Sequence, residues 1–104
     1  MSLYKKDVIV ALATPKGVGA LSVVRVSGLA LSSLFYNISK IKSTKNRHVY
    51  NVNLKSKNQK DILDNVLITY YKAPNSFTGE DVIEVSCHGG NIVSTRIIND
   101  FLAW

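Results

Sequence analysis

Apolar and polar residues follow one another along this chain with two periods, which divide it into predicted strands and helices. The continuous apolar run in Asp7–Ala13 predicts a strand that is covered on both faces. Leu21–Ser27 alternates with a period of two, which predicts a second strand with Arg25 and Val24 on opposite faces. A spacing of i, i+3, i+4 and i+7 then predicts an amphipathic helix with the apolar stripe Leu31, Leu34, Phe35 and Ile38.

The second half of the chain continues with three predicted strands and a final helix. His48–Leu54 and Ile62–Tyr71 both alternate, and they form a predicted hairpin with a long loop. The polar loop Ala73–Asp81 leads into a strand at Val82–His88, and a helical pattern covers Asn91–Trp104. The order β-β-α-β-β-β-α indicates an α+β domain with a mixed, mostly antiparallel sheet and two helices.

Length and composition narrow the class of protein. The 104 residues fit one domain. The apolar run Val8–Ala13 is far shorter than the roughly 20 residues that span a bilayer, so we expect no membrane association. The only cysteine is Cys87, which excludes an internal disulfide and favours a reducing compartment. We therefore expect a cytoplasmic protein.

Positive charge is concentrated in the middle of the chain. The net charge is +6, and seven of the thirteen basic residues lie between Lys40 and Lys60, where there is no acidic residue. Such a segment attracts phosphates, which makes a small basic RNA-binding domain one interpretation. The other is a solvated, lysine-rich hairpin, because Tyr50 is the only large aromatic residue in the run and no stacking surface is apparent.

The motifs of nucleotide and metal chemistry are absent from the sequence. The glycine-containing loop Thr14–Ala20 does not have the spacing of a P-loop, and a predicted strand follows it instead of a helix. His48 and His88 are far apart in sequence, and strand alternation points Cys87 away from His88. We therefore predict no catalytic residue and no metal ligand, with Cys87 as a small buried hydrophobic residue.

Two charged residues in predicted strands are candidates for a binding site. Arg25 and Glu84 both lie mid-strand, where a half-buried charge needs a partner. They either neutralise each other across the sheet or line a pocket, and the pattern leaves both possibilities open. We also expect a cluster of charged residues at the junction of the last loop and strand, formed by Glu80, Asp81, Glu84 and His88.

Two segments carry a resemblance to a known family. Ala13–Gly28 (ATPKGVGALSVVRVSG) and Pro74–Gly90 (PNSFTGEDVIEVSCHGG) resemble the N-terminal domain of the MnmE (TrmE) family of tRNA-modification GTPases. The resemblance implies a fold similar to the folate-binding domain of aminomethyltransferases, a homodimer, and binding of a 5-formyl-tetrahydrofolate-type one-carbon carrier. It also implies that residues 1–104 are an N-terminal domain whose helical and G domains lie further along a longer protein.

The resemblance assigns roles to the two candidate residues. Arg25 and Glu84 match family positions that contact the folate. It further implies that the parent protein modifies the wobble uridine of tRNA together with a flavoprotein of the MnmG (GidA) type. GTP, Mg²⁺ and K⁺ would then belong to the G domain alone, outside these residues. A purely structural dimerisation arm with an empty folate pocket remains a third interpretation, beside folate binding and RNA binding.

Overall fold

The computed structural model describes residues 8–13, 21–42, 45–56, 62–74, 76, 78–89 and 91–102. The loop 14–20 and the far end of the predicted hairpin therefore lie outside the described residues. The elements in chain order are β1 (Ile9–Leu12), β2 (Leu21–Gly28), α1 (Ser32–Ser39), β3 (Val49–Lys55), β4 (Ile62–Tyr71), β5 (Asp81–His88) and α2 (Asn91–Leu102).

All five strands form one sheet in the order β1-β2-β5-β4-β3. Each neighbouring pair is antiparallel, which confirms the predicted α+β class and specifies its sheet as antiparallel throughout the described strands. Sequential strands pair as β1–β2, β3–β4 and β4–β5, and β5 lies between the hairpins β1–β2 and β3–β4. The last strand of the chain is consequently the central strand of the sheet.

Both helices pack on the same face of the sheet. Val24 of β2 and Val85 of β5 are fully buried against Phe35 of α1 and Ile97 of α2, because the apolar stripes of both helices face the strands. Aromatic contacts extend this core, with the Phe35 and Tyr70 rings 5.4 Å apart between centroids. The remaining buried core residues are Val26, Leu31, Ile38, Leu54, Val66, Ile68, Ile83, Cys87 and Phe101.

No described helix packs on the opposite face, which we call the open face of the sheet; the loop before β5 contacts one end of it at Ser27, where Val82 is buried. The prediction that the first strand is covered on both sides is wrong, because β1 is an edge strand in which the Ile9 residue is 63% exposed. A run of β-branched residues predicts that a segment forms a strand, but it does not predict whether other elements pack on both faces of that strand. Among the described residues, neither helix is long and apolar enough to cross a membrane.

A buried carboxylate connects three parts of this fold. Asp81 Oδ2 accepts hydrogen bonds from the backbone N–H of Leu31 at 3.1 Å and from the Tyr70 hydroxyl at 2.5 Å. Its Oδ1 accepts one from the backbone N–H of Ala73 at 2.9 Å. Burial raises the pKa of Asp81, but these three hydrogen bonds and the charge of Lys72 outweigh it, so the pKa lies below the usual 3.8. The ionised carboxylate thus holds the start of α1 and the loop after β4 on the first residue of β5.

We expect Asp81→Asn to reduce the free energy of unfolding by about 2–3 kcal/mol, because an amide nitrogen would face a backbone or hydroxyl donor in a buried position. Urea denaturation at pH 7 measures this loss. Asp64→Asn is the control, since it removes the same charge from a carboxylate whose partner, His88, is exposed, and we expect it to cost about 1 kcal/mol or less. Equal losses in the two variants would contradict the connecting role of Asp81.

The contribution of Asp81 should also depend on pH. Its pKa is lowered on folding, so the stabilisation is complete above the unfolded-state value of 3.8 and disappears as the pH falls through the folded-state value. The difference between wild type and Asp81→Asn should therefore be constant above about pH 5 and shrink in more acidic solution. A difference that grows on acidification would contradict the assignment.

Candidate functional site

Arg25 and Glu84 lie directly opposite each other on β2 and β5, in the middle of the open face. The Arg25 Nη2 and Glu84 Oε2 atoms are 2.6 Å apart, and Arg25 Nε donates a hydrogen bond to the same oxygen at 2.8 Å. Their side chains remain 28% and 25% exposed, respectively. The sheet register therefore brings together the two residues that the sequence singled out, and it leaves both of them accessible from solvent.

Two further side chains complete the site, and neither was identified from the sequence. The Tyr71 hydroxyl donates to Glu84 Oε1 at 3.4 Å, and the Arg47 guanidinium carbon lies 5.8 Å from the centroid of the Tyr71 ring. Burial raises the pKa of Tyr71, as do the charge and hydrogen bond of Glu84, against the smaller opposing effects of Arg47 and Arg25. Tyr71 therefore stays protonated and donates to the carboxylate.

The two oxygens of Glu84 have different surroundings. Oε2 accepts both hydrogen-bonding contacts from Arg25, whereas Oε1 receives only the long contact from Tyr71 among the described residues. A carboxylate oxygen has two lone pairs, so Oε1 retains capacity for another donor. The arrangement can bind a planar ligand that presents adjacent N–H groups, with a guanidinium and an aromatic ring beside it.

The expected charge cluster at the loop–strand junction does not form, so that prediction is wrong. Strand alternation turns Asp81 towards the core and Glu84 towards the open face, while His88 lies at the other end of β5. Glu80, in the loop, contacts β2 instead, where its Oε1 accepts a hydrogen bond from the Ser27 hydroxyl at 3.1 Å. Ser27 also contacts the Thr78 hydroxyl at 2.8 Å, which ties the loop before β5 to β2.

His88 has a separate partner at the end of β5. Asp64 Oδ1 lies 2.7 Å from His88 Nδ1, and Asp64 Oδ2 accepts the backbone N–H of His88 at 2.9 Å. Burial raises the pKa of Asp64, but the hydrogen bonds and charge of His88 outweigh it and the net shift is downward. This contact fastens the end of β5 to β4 just before the glycine turn, whose Gly90 lies outside the described residues.

Cys87 is fully buried, as the sequence predicts. Its Sγ lies 3.5 Å from the carbonyl oxygen of Ser22, and burial raises the pKa of the thiol. A thiol with a raised pKa is a poor nucleophile. Within the described part of the chain, no three His, Cys, Asp or Glu side chains are grouped as metal ligands would be.

We expect Glu84→Gln to lower the free energy of unfolding by only about 1 kcal/mol, since the pair with Arg25 is partly exposed and solvent screens its attraction. Thermal and urea denaturation measure the change. Asp81→Asn is the comparison, because it alters a fully enclosed carboxylate on the same strand. If the two losses were similar, the Arg25–Glu84 pair would be primarily a structural element of the sheet.

Comparison with known proteins identifies the family. The family model described as "GTP-binding protein TrmE N-terminus" matches residues 8–103. A relative from Sulfurovum sp. (strain NBC37-1), named tRNA modification GTPase MnmE, is 39% identical over 104 residues, covering 100% of this chain and 23% of its own. A relative of the same name from Aliarcobacter butzleri (strain RM4018) is 43% identical over 101 residues, covering 96% of this chain and 22% of its own. Each relative is thus more than four times as long as the matched segment. With this coverage and identity, the chain belongs to the family of TrmE N-terminal domains.

Proposed function

We propose that this chain is a folate-binding and homodimerising domain of a GTPase that modifies the wobble uridine of tRNA. The observation that carries the proposal is the accessible Arg25–Glu84 pair at the centre of the open face. The two side chains are 28% and 25% exposed and lie beside an aromatic ring and a second arginine, so a ligand can reach all of these groups from solvent. Family membership supports tRNA modification as the process in which the domain acts.

A 5-formyl-tetrahydrofolate-type carrier fits the chemistry of these side chains. A pterin presents adjacent ring N–H and amino donors, which a carboxylate such as Glu84 can accept as a bidentate pair once Arg25 turns its guanidinium from Glu84 Oε2 to the ligand. Arg25 supplies planar donors for carbonyl or carboxylate acceptors of the ligand. Tyr71 offers the edge or face of a phenol ring at the same position. These residues bind and orient a ligand, and we assign no bond-making step to the domain.

The wider role follows from the relatives and is part of the same proposal. The curated relatives are named tRNA modification GTPases, which supports tRNA as a partner of the whole protein. A flavoprotein of the MnmG (GidA) type as a second partner, and a cytoplasmic location, are proposed from the family resemblance of the two sequence motifs. GTP hydrolysis, with Mg²⁺ and K⁺, is proposed for a G domain outside these residues. The domain itself then acts as a binding module rather than a catalytic one.

Homodimerisation is proposed for the open face. Its exposed apolar side chains flank the polar pair, and contiguous exposed apolar surface marks interaction sites. They are Ile9, Leu21, Val49 and Leu67. A twofold interface on this face would bring two copies of the Arg25–Glu84 pair near one another and shield them from water.

Glu84→Gln should weaken binding of 5-formyl-tetrahydrofolate by about 2–4 kcal/mol, because a bidentate acceptor becomes one acceptor and one misplaced donor. Isothermal titration calorimetry of the full-length protein measures the affinity. Glu80→Gln is the matched control, since it removes the same charge from the adjacent loop and should leave folate affinity unchanged. Unaltered folate binding in a folded Glu84→Gln protein would refute the proposed site.

The double variant Leu21→Glu/Leu67→Glu should shift the dimer towards monomer, because it places like charges on both copies of the proposed interface. Analytical ultracentrifugation across micromolar concentrations measures the dissociation constant, which we expect to rise at least about tenfold, a change of about 1.4 kcal/mol. Ile92→Glu on the exposed side of α2 is the control and should leave the dimer intact. Dissociation by the control alone would place the interface on the helical face.

A further inference from the structure

A cavity of about 560 Å³ lies on the helical side, away from the Arg25–Glu84 pair. It opens between the start of α1, the segment after α1 and the end of β4. Its lining includes Tyr36, Lys42, Asn46, Lys72 and Asp81. Lys72 belongs to a different part of the chain from the basic segment Lys40–Lys60, so the fold adds a cation that the sequence pattern did not group with the others.

Two backbone hydrogen bonds hold this arrangement together. The N–H of Lys72 donates to the side-chain oxygen of Asn46 at 2.8 Å, and the N–H of Arg47 donates to the carbonyl of Tyr70 at 2.8 Å. The turn that carries Asn46 and Arg47 is thereby fixed against the end of β4. Lys72 therefore faces the cavity from a segment whose position is set by hydrogen bonds, and Lys42 lines the same cavity.

The cavity rim has a net positive charge. Lys42 and Lys72 line it, and neither forms a salt bridge with a carboxylate in the part of the chain that the structure describes. The one acidic residue in the lining is Asp81, whose two oxygens already accept hydrogen bonds from Leu31, Tyr70 and Ala73. Two lysines against this single carboxylate leave an excess of one positive charge that an anionic ligand can neutralise.

An aromatic surface lies beside these cations. Tyr36 lines the cavity and is 41% exposed, and the Lys40 Nζ lies 6.0 Å from the centroid of its ring. The sequence offered only Tyr50 as a stacking residue, but Tyr50 packs edge-on against Phe35 in the core. Tyr36 comes from α1 instead. The helix therefore supplies the exposed aromatic ring that the basic segment lacks.

We propose that this cavity is an RNA-contact site, in which Lys42 and Lys72 bind the phosphate backbone of a single strand and a base stacks on Tyr36. Proteins that bind single-stranded nucleic acids combine basic side chains with exposed aromatic rings. The basic side chains neutralise phosphates, and the rings stack on the bases. An acidic protein segment would use the cations but not the ring. The inference rests on the proposed function, because tRNA modification is what brings RNA to this domain.

The test measures RNA binding and folate binding on the same variants of the full-length protein. Fluorescence polarisation with an unmodified tRNA transcript and a labelled oligouridylate is recorded from about 50 to 200 mM KCl, the range over which phosphate contacts weaken steeply. Lys42→Ser/Lys72→Ser should make the slope of log affinity against log salt shallower by about 1.5, since each lost phosphate contact contributes about 0.7–0.9. Calorimetry with 5-formyl-tetrahydrofolate should give wild-type affinity for this variant.

Charge-matched and aromatic variants complete the experiment. Lys55→Ser/Arg96→Ser removes two exposed cations elsewhere and should keep the wild-type salt slope. Tyr36→Leu should weaken oligouridylate binding at least about fivefold, the lower range for one stacked base. The proposal is overturned if the Lys42/Lys72 variant keeps the full slope, if the control loses as much, or if Tyr36→Leu binds normally. Retained RNA binding to the cavity alongside failed folate binding would refute the folate site alone.

Discussion

A single ionised carboxylate at the first residue of the central strand determines how the helical layer meets the sheet. Asp81 receives donors from Leu31 at the start of α1, 50 positions away, and from Tyr70 and Ala73 at the end of β4 and just after it. Burying a charge is unfavourable unless hydrogen bonds compensate, and here both oxygens are occupied. The loop's other anchors, the contacts of Ser27 with Thr78 and Glu80, hold the opposite side of the same segment. Loop and helix therefore have one common point of attachment.

Three residues further along β5, an acidic residue has the opposite environment. Glu84 points away from the helices, because residues three positions apart on a strand lie on opposite faces of the sheet. It pairs with Arg25 and remains accessible to solvent. The same strand thus uses one carboxylate to secure the fold and another to present charge on an uncovered surface. A charged residue can therefore stand mid-strand without entering the core, which lies on the other face of the sheet against the helices.

The sequence pattern predicted the local structure well, and the pairing of distant segments less well. The bounds of β4 at Ile62–Tyr71 and the buried stripe of α1 follow from periodicity, as does the common face of Glu84 and Ser86. Tyr71 could not be placed beside Glu84 in this way, because the contact depends on the register between β4 and β5. Arg47 was counted as part of a basic run, although its backbone bond to Tyr70 fixes it at the site. Register and strand order arise from tertiary packing, which no local period encodes.

The central place of β5 has a consequence for the order in which the molecule forms. The hairpins β1–β2 and β3–β4 join segments that are close in sequence, but neither touches the other until β5 has entered between them. During synthesis from the N-terminus, the edges of β2 and β4 that pair with β5 therefore stay unpaired until the residues up to His88 have been made. Arg25 and Glu84 are 59 positions apart along the chain, so the site appears only at this late, long-range closure. A nascent chain that stalls before β5 would present two unpaired strand edges, which makes that interval the stage at which this domain is most exposed to aggregation and most dependent on chaperones.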